Sequence, residues 1–214
     1  MSRPYSVNVA IPSIPPRRQL LSRAVSSAVS QTLCPEHVSV ALDTGREGAA
    51  PTRNRAAACG DTEWIAFLDD DDVLGTKHLD ALVCAALEHD ADLVYPWFTL
   101  VGADVSMLKC PDDDGNLVLA EGVPFGERQR AYLGAGPGEG NNFIPVTFLV
   151  RRELFMDLGG FPQTNSDEWP YSANEDWGFL MKVANSSATV HHHPQRTWFW
   201  HFHSGSTSGM PDRW

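Results

Sequence analysis

Four consecutive aspartates, Asp69 to Asp72, follow an apolar run, Trp64-Ile65-Ala66-Phe67-Leu68, that has the length and composition of a buried strand. Carboxylates clustered at the C-terminal end of a strand repel one another where a parallel sheet opens to solvent. A positive charge must stabilise that arrangement, most simply a divalent cation with hard oxygen ligands. In an open α/β sheet the carboxyl ends of strands are also where ligands bind. Mg²⁺ or Mn²⁺ held by one or two carboxylates usually goes on to grip a substrate's phosphates. The competing reading is a solvated acidic loop, the ordinary fate of an Asp run. A second acidic pair, Glu175-Asp176, stands just upstream of Trp177, Phe179, Leu180 and Val183, which share one buried helical flank. Carboxylates at a helix start are ordinarily caps or partners of the helix dipole. His191-His192-His193 has the composition of a metal site.

These groups need elements to hold them. Val7, Val9 and Ile11 alternate with Asn8 and Ala10 in a first strand that Pro12 ends. Leu20, Leu21, Ala24, Val25, Ala28 and Val29 recur at helical spacing after Pro15-Pro16. A second strand, Val38 to Leu42, stops at the turn-forming trio Asp43-Thr44-Gly45; a helix, the Trp64 strand and the Asp run follow. Thr76 is placed to cap a helix with Leu79, Leu82, Val83, Ala86 and Leu87 on one face, and Leu93-Val94-Tyr95 is the next strand. This alternation predicts an α/β fold with a parallel sheet in the first half. The second half is less regular. Asp112 to Asn116 is turn chemistry for a hairpin tip; it partly imitates a calcium loop, but Cys110 holds the first ligand position and no helix leads in. The glycine-rich stretch Gly134 to Asn142 lacks the Gly-Lys-Ser/Thr of a phosphate loop and reads as a flexible loop that could cover a substrate.

At 214 residues the chain is expected to form one domain with a sizeable core. Its net charge of −11 disfavours nucleic acid or anionic lipid as the main partner, since those surfaces are read by clustered cations. No apolar stretch approaches membrane-spanning length, and the N-terminus lacks a signal peptide's apolar core. Cysteines 34, 59, 84 and 110 show no CxxC and read as reduced, mostly core thiols in a cytoplasmic protein.

The stretch from Gly48 through Thr52-Arg53-Asn54-Arg55 and Trp64-Ile65-Ala66-Phe67-Leu68 into the Asp run resembles glycosyltransferase family 2, in which a helix with an Arg-Asn pair leads into a strand ending Leu-Asp-x-Asp-Asp. Phe148 to Phe155 and Leu158-Gly159-Gly160-Phe161 look like that family's strand, helix and Gly-Gly-Phe turn. Asn174-Glu175-Asp176-Trp177 resembles its Glu-Asp motif, and His203-Ser204-Gly205-Ser206-Thr207-Ser208 its His-x-x-Ser-x-Ser segment. The landmarks keep family order from about Val7 to Ser208.

The resemblance implies a single GT-A domain over residues 1–214, a Rossmann-like, mostly parallel sheet flanked by helices. About 1–100 would be the nucleotide-binding half and about 101–214 a less regular acceptor-side half with a C-terminal loop. The implied activity is metal-dependent, inverting transfer of a sugar from a nucleoside-diphosphate sugar, UDP-sugar as first choice, to an acceptor hydroxyl. Asp71 is then the metal ligand of Mn²⁺ or Mg²⁺, and Asp69 faces the ribose or the metal's waters. Four aspartates leave the register open by one residue, so Asp70 and Asp72 can exchange with these roles; Phe67-Leu68 favours the first choice. His203 matches the family's metal-binding His, with His201 the alternative. His191 to His193 fall at a strand end before Pro194 and read as structural. Asp176 is the implied general base beside Glu175. Pro12, Ser13, Asp43, Arg53 and Asn54, with Asp69 and Asp70, would contact the nucleotide sugar. Asp43-Thr44-Gly45-Arg46 departs from the family's Asp-Asp-Gly-Ser, which leaves the base open. Trp169 and Trp200 are candidates for stacking on the acceptor, which could be a saccharide, glycolipid, protein or small molecule. The rivals are a nucleotidyltransferase, disfavoured because Pro12 to Arg18 contains no glycine, a non-catalytic nucleotide-sugar-binding module, and a zinc hydrolase using the His clusters.

Overall fold

The computed structural model describes residues 5–102, 109–111, 117–119, 144–171 and 174–203. The elements run β1 (Val7–Ser13), a 3-10 turn at Pro15–Arg17, α1 (Arg18–Val29), β2 (His37–Leu42), α2 (Ala49–Ala57), β3 (Trp64–Phe67), β4 (Val73–Leu74), α3 (His78–Glu88) and β5 (Leu93–Val101). After these come β6 (Lys109–Pro111), β7 (Leu117–Leu119), β8 (Leu149–Arg151), α4 (Arg152–Asp157), α5 (Glu175–Ala184) and β9 (Val190–His201). β6 and β7 pair antiparallel about residues 112–116. That expected turn itself, the glycine-rich stretch 134–142 and the Ser-rich segment 204–208 lie outside the described residues.

Seven strands form one sheet in the order β2-β1-β3-β8-β5-β9-β4. β1 is parallel to β2 and β3, β5 is parallel to β9, and β8 runs antiparallel between β3 and β5. So β2, β1, β3, β5 and β9 all point the same way, and their C-terminal ends share one edge. β4 then pairs antiparallel with the end of β9, Leu74 opposite Trp198. The Asp run is the link from the middle of the sheet to that far edge.

The apolar run of β3 is continuous because both sheet faces are covered. Ile65 and Phe67 enter a core beneath α2, α4 and α5; Trp64, Ala66 and Leu68 enter the opposite core under α1 and α3. Phe67, Phe155, Phe161 and Phe179 pack with ring centroids 4.9–5.5 Å apart, beside Phe148. β1 is buried on both sides as well, so its apparent alternation hides no wet face. Asn8 is tolerated there because its Nδ2 donates to the carbonyls of Ala56 and Cys59 and its Oδ1 accepts from Ser39, tying the end of α2 to the sheet.

Several local expectations need correction. β1 continues through Pro12 to Ser13. α3 begins at His78 with Lys77 at the N-cap and no side-chain cap, so Thr76 does not cap it. Val29 and Leu87, in the last turns of α1 and α3, are exposed. Cys34, Cys59 and Cys84 are exposed, not core thiols; they lie in a loop, at a helix end and on the outer side of α3. His191 to His193 do not end a strand. β9 runs on through Pro194, with its register against β5 shifting between Pro96 and Phe98, an irregularity of the kind that accommodates proline in a sheet. His191 stacks on His89 at 3.7 Å and His192 packs against Tyr95 and Trp97.

His78 is wholly buried, with Nδ1 2.8 Å from Thr197 Oγ1, and burial holds its pKa down at about 3. An unfolded chain protonates histidine at about pH 6.5. A depressed folded pKa contributes stability that is present above that value and lost as pH falls from there towards about 3. Other groups titrate in the same window, so the readout is a difference. His78→Asn should show a smaller fall in melting temperature between pH 7 and pH 4.5 than the wild type; equal falls would place the acid sensitivity elsewhere.

Candidate active site

The four carboxylates of the Asp run are held differently, and Asp70 and Asp71 share Arg17. Arg53 Nη2 donates to both oxygens of Asp69, at 2.8 and 3.0 Å. Asp70 accepts from Ser13 Oγ at 2.6 Å on one oxygen and from Arg17 Nη1 at 2.9 Å on the other. Arg17 Nη1 also stands 3.1 Å from Asp71 Oδ2. Asp72 accepts the backbone N–H of His201 at 2.8 Å, the contact that the β4–β9 pairing makes possible.

Asp70 and Asp72 are each only 3% exposed, and the cations present do not neutralise the cluster. Burial raises the pKa of Asp70 despite Ser13 and Arg17. Burial and the charge of Asp69 raise that of Asp71 despite Arg17. Burial with Asp69 and Asp71 pushes Asp72 up to about 9. Ligand atoms of Asp69, Asp71 and Asp72 lie within 4.8 Å of one another. This all-oxygen set, short of positive charge, fits a hard divalent cation such as Mg²⁺ or Mn²⁺. Glu36, His37 and Asp61 also cluster, but they are exposed and sit at the opposite, N-terminal end of β2 and β3.

The two candidate histidines separate. His203 Nε2 is 3.2 Å from Asp71 Oδ2. The ring of His201 turns to Arg23, whose Nη2 is 2.8 Å from its Nε2. Arginine only donates, so that nitrogen accepts, and Nδ1 carries the proton towards the carbonyl of Phe199 at 3.2 Å. His201 therefore meets the Asp run through its backbone alone.

Glu175 and Asp176 open α5 after Asn174, which takes the left-handed conformation at φ 63°. Arg53 Nη1 pairs with Glu175, so one buried guanidinium joins the Asp run to the α5 pair. Burial alone would depress Arg53, but Asp69, Glu175 and Asp176 outweigh it and hold the cation more firmly. Asp176 accepts the N–H of Trp177 at 2.8 Å. Burial and the charge of Glu175, partly offset by Arg53, push Asp176 up to about 6. That value suits a group that must accept a proton near neutral pH.

Other residues singled out in the sequence make contacts within the fold. Asp43 accepts from the N–H groups of Glu47 and Gly48, both at 2.9 Å, and these backbone donors hold its pKa low despite burial. Its carboxylate shapes the loop into α2. Asn54 donates to the carbonyl of Phe161 at 2.9 Å and accepts its N–H at 3.0 Å, so its amide pins the Gly-Gly-Phe turn. Gly160 is needed there: its φ is +67°, and a Cβ would meet Asn54 Oδ1 at 2.6 Å. Pro12 is half-buried within β1. Trp169, 4% exposed, packs on Gly178 and Tyr171, which leaves little of its ring for an acceptor. Trp200 is half-buried against Phe98. Arg17 was missed in the sequence, where Pro12 to Arg18 was read only for its lack of glycine. The usable signal was a cation placed just after a strand whose C-terminal end neighbours the Asp run.

The fold has counterparts among solved structures. The S. aureus TarS 1–349 complex with UDP superposes with a TM-score of 0.64 at 16% identity, over 92% of this chain and 60% of that one. The complex of TarS 1–349 with UDP-GlcNAc gives 0.63 at 17% identity, over 94% and 60%. Against a longer S. aureus TarS structure the score is 0.60 at 16% identity, over 92% of this chain and 37% of that one. The chain thus spans about 60% or less of these neighbours. A comparison with curated proteins finds no match. The seven-stranded, mostly parallel sheet flanked by helices is the GT-A arrangement of these neighbours. The sequence profile of glycosyl transferase family 2 matches residues 21–159, a span that runs from α1 past the Asp run, β8 and α4. On that match the chain belongs to glycosyl transferase family 2.

Proposed function

We propose that the chain transfers a sugar from a nucleoside-diphosphate sugar to an acceptor hydroxyl, with a divalent cation and with inversion at the anomeric carbon. The observation that carries this reading is the convergence at one sheet edge of Asp71 with His203 and of Asp69, through Arg53, with Glu175 and Asp176. Asp71, Asp69 and His203 would hold Mn²⁺ or Mg²⁺. When bound, the cation supplies charge that stabilises the departing diphosphate. In the metal-free protein Arg53 and Arg17 limit the self-repulsion of the Asp run.

Asp176 faces the acceptor in this reading. Its carboxylate takes the proton of the attacking hydroxyl as the new bond to the anomeric carbon forms and the bond to the diphosphate oxygen breaks. Arg53 holds Glu175 beside it, and burial together with the charge of Glu175 keeps the pKa of Asp176 at about 6. Residues up to about 100 serve the nucleotide and the later ones the acceptor, with Trp200 the more available of the two tryptophans for stacking. UDP-sugar is the first choice of donor, supported by the likeness in fold to a protein crystallised with UDP and UDP-GlcNAc. The acceptor is a hydroxyl on a saccharide, glycolipid, protein or small molecule. Among the described residues no helix is long and apolar enough to cross a membrane.

A thermal-shift panel of nucleoside diphosphates and nucleotide sugars, with and without Mn²⁺, tests this. A ligand that binds only the native state raises the melting temperature. A uridine nucleotide that does so only with the cation is expected; the same shifts with and without Mn²⁺ would remove the metal from the account.

A further inference from the structure

Arg17 holds the Asp run in a way that bears on cation binding. Both oxygens of Asp70 are engaged, one by Ser13 Oγ and the other by Arg17 Nη1, and Asp70 is absent from the group whose ligand atoms converge. The same Nη1 reaches past Asp70 to Asp71 Oδ2 at 3.1 Å. That oxygen is also the one that His203 Nε2 approaches at 3.2 Å. One carboxylate oxygen therefore carries the protein's own cation and the candidate metal-binding imidazole together.

We infer that Arg17 is a resident counter-cation of the metal site, which occupies Asp71 Oδ2 in the metal-free protein and gives it up, keeping Asp70, when a divalent cation binds. The inference rests on the reading of Asp71 as a metal ligand. Burial favours such a device. Uncompensated carboxylates repel strongly in a low-dielectric site, so a fixed guanidinium keeps the empty site folded. The same charge opposes an incoming cation and so weakens its binding. The anchor on Asp70 means that Arg17 need only release one contact and not leave the site. Arg17 is a positioning residue here, and it sets how much free Mn²⁺ or Mg²⁺ the site requires.

The two roles that Arg17 could play predict opposite signs. A residue that merely props Asp71 in place helps the metal, and its removal weakens binding. A competing cation hinders the metal, and its removal tightens binding. Mn²⁺ titrations followed by the electron paramagnetic resonance of the free ion should show R17Q binding about tenfold or more tightly than the wild type. Its melting temperature without metal should be lower, and the gap should narrow as Mn²⁺ is added. Unchanged or weaker Mn²⁺ binding by R17Q overturns the proposal alone. A wild-type protein that binds neither Mn²⁺ nor Mg²⁺ defeats the metal reading and this proposal with it. Should R17Q not fold, the wild type answers. Adding Mg²⁺ to ¹⁵N-arginine-labelled protein should shift the Arg17 side-chain signal, assigned by its loss in R17K. A signal unmoved at Mg²⁺ saturation, judged from the melting temperature, overturns the proposal.

Discussion

Asp176→Asn should lower sugar transfer by a factor on the order of 10² to 10⁴, the usual contribution of a positioned general base, with donor affinity retained. The amide preserves the shape and the acceptor for the Trp177 N–H, so the fold should hold, but it cannot take a proton. In the wild type the rate should rise with pH through about 6, where Asp176 ionises. Glu175→Gln separates the two acidic residues. Removing the charge of Glu175 takes away a cause of the raised pKa, so the acid limb of the pH profile should move to lower pH. Arg53 keeps Asp69 in that variant, and the loss of rate should be smaller than for Asp176→Asn. Measured kcat and KM across pH decide the matter. Near-normal transfer by Asp176→Asn, or a loss of donor affinity large enough to account for the rate, would remove Asp176 from the role of base.

The second large effect is on binding. Asp71→Ala should abolish the cation-dependent part of nucleoside diphosphate binding while the metal-free protein stays folded. Burial and neighbouring carboxylates raise the pKa of Asp71, so its ionised form is unfavourable in the empty site. Losing it should leave the melting temperature without metal unchanged or higher. His203→Ala should weaken the same binding more than His201→Ala, since only His203 brings a ring nitrogen to Asp71. Calorimetric titration of UDP with and without Mn²⁺ reads all three variants. Unaltered cation dependence in Asp71→Ala would move the ligand to another aspartate of the run.

What the sequence made legible follows the range of the interactions involved. The Trp64 to Leu68 run declared a strand buried on both faces, and the Asp run declared its C-terminal end, because both signals are local and strong. The ordered motifs carried the family and with it the GT-A sheet. The insertion of antiparallel β8 between β3 and β5 had no local signature, since it depends on pairings about 85 and 57 residues apart in sequence. The same holds inside the site. Arg53 meets Glu175 across 122 residues, and Arg17 meets Asp70 across 53. Spacing within a motif cannot reveal such contacts. His201 and His203 are two apart, which on a continuing strand would place both on one face. β9 ends at His201, so the two rings diverge. Asn54 stands beside Arg53 in the family motif, and its amide binds the Phe161 peptide, a contact that only the folded turn exposes.

Cation-dependent transfer of a sugar with inversion can be watched as it happens by proton NMR. With the donor that the thermal-shift panel selects, UDP-GlcNAc first, the anomeric signals can be followed from the start of turnover. Water can serve as acceptor until a better one is known. A free nucleoside diphosphate should appear together with a sugar whose first-formed anomer is opposite to the donor's, only when Mn²⁺ or Mg²⁺ is present, and at a far lower rate with Asp176→Asn. A first-formed anomer matching the donor's, equal turnover in a chelator, or release of pyrophosphate from a nucleoside triphosphate in place of sugar transfer would contradict it.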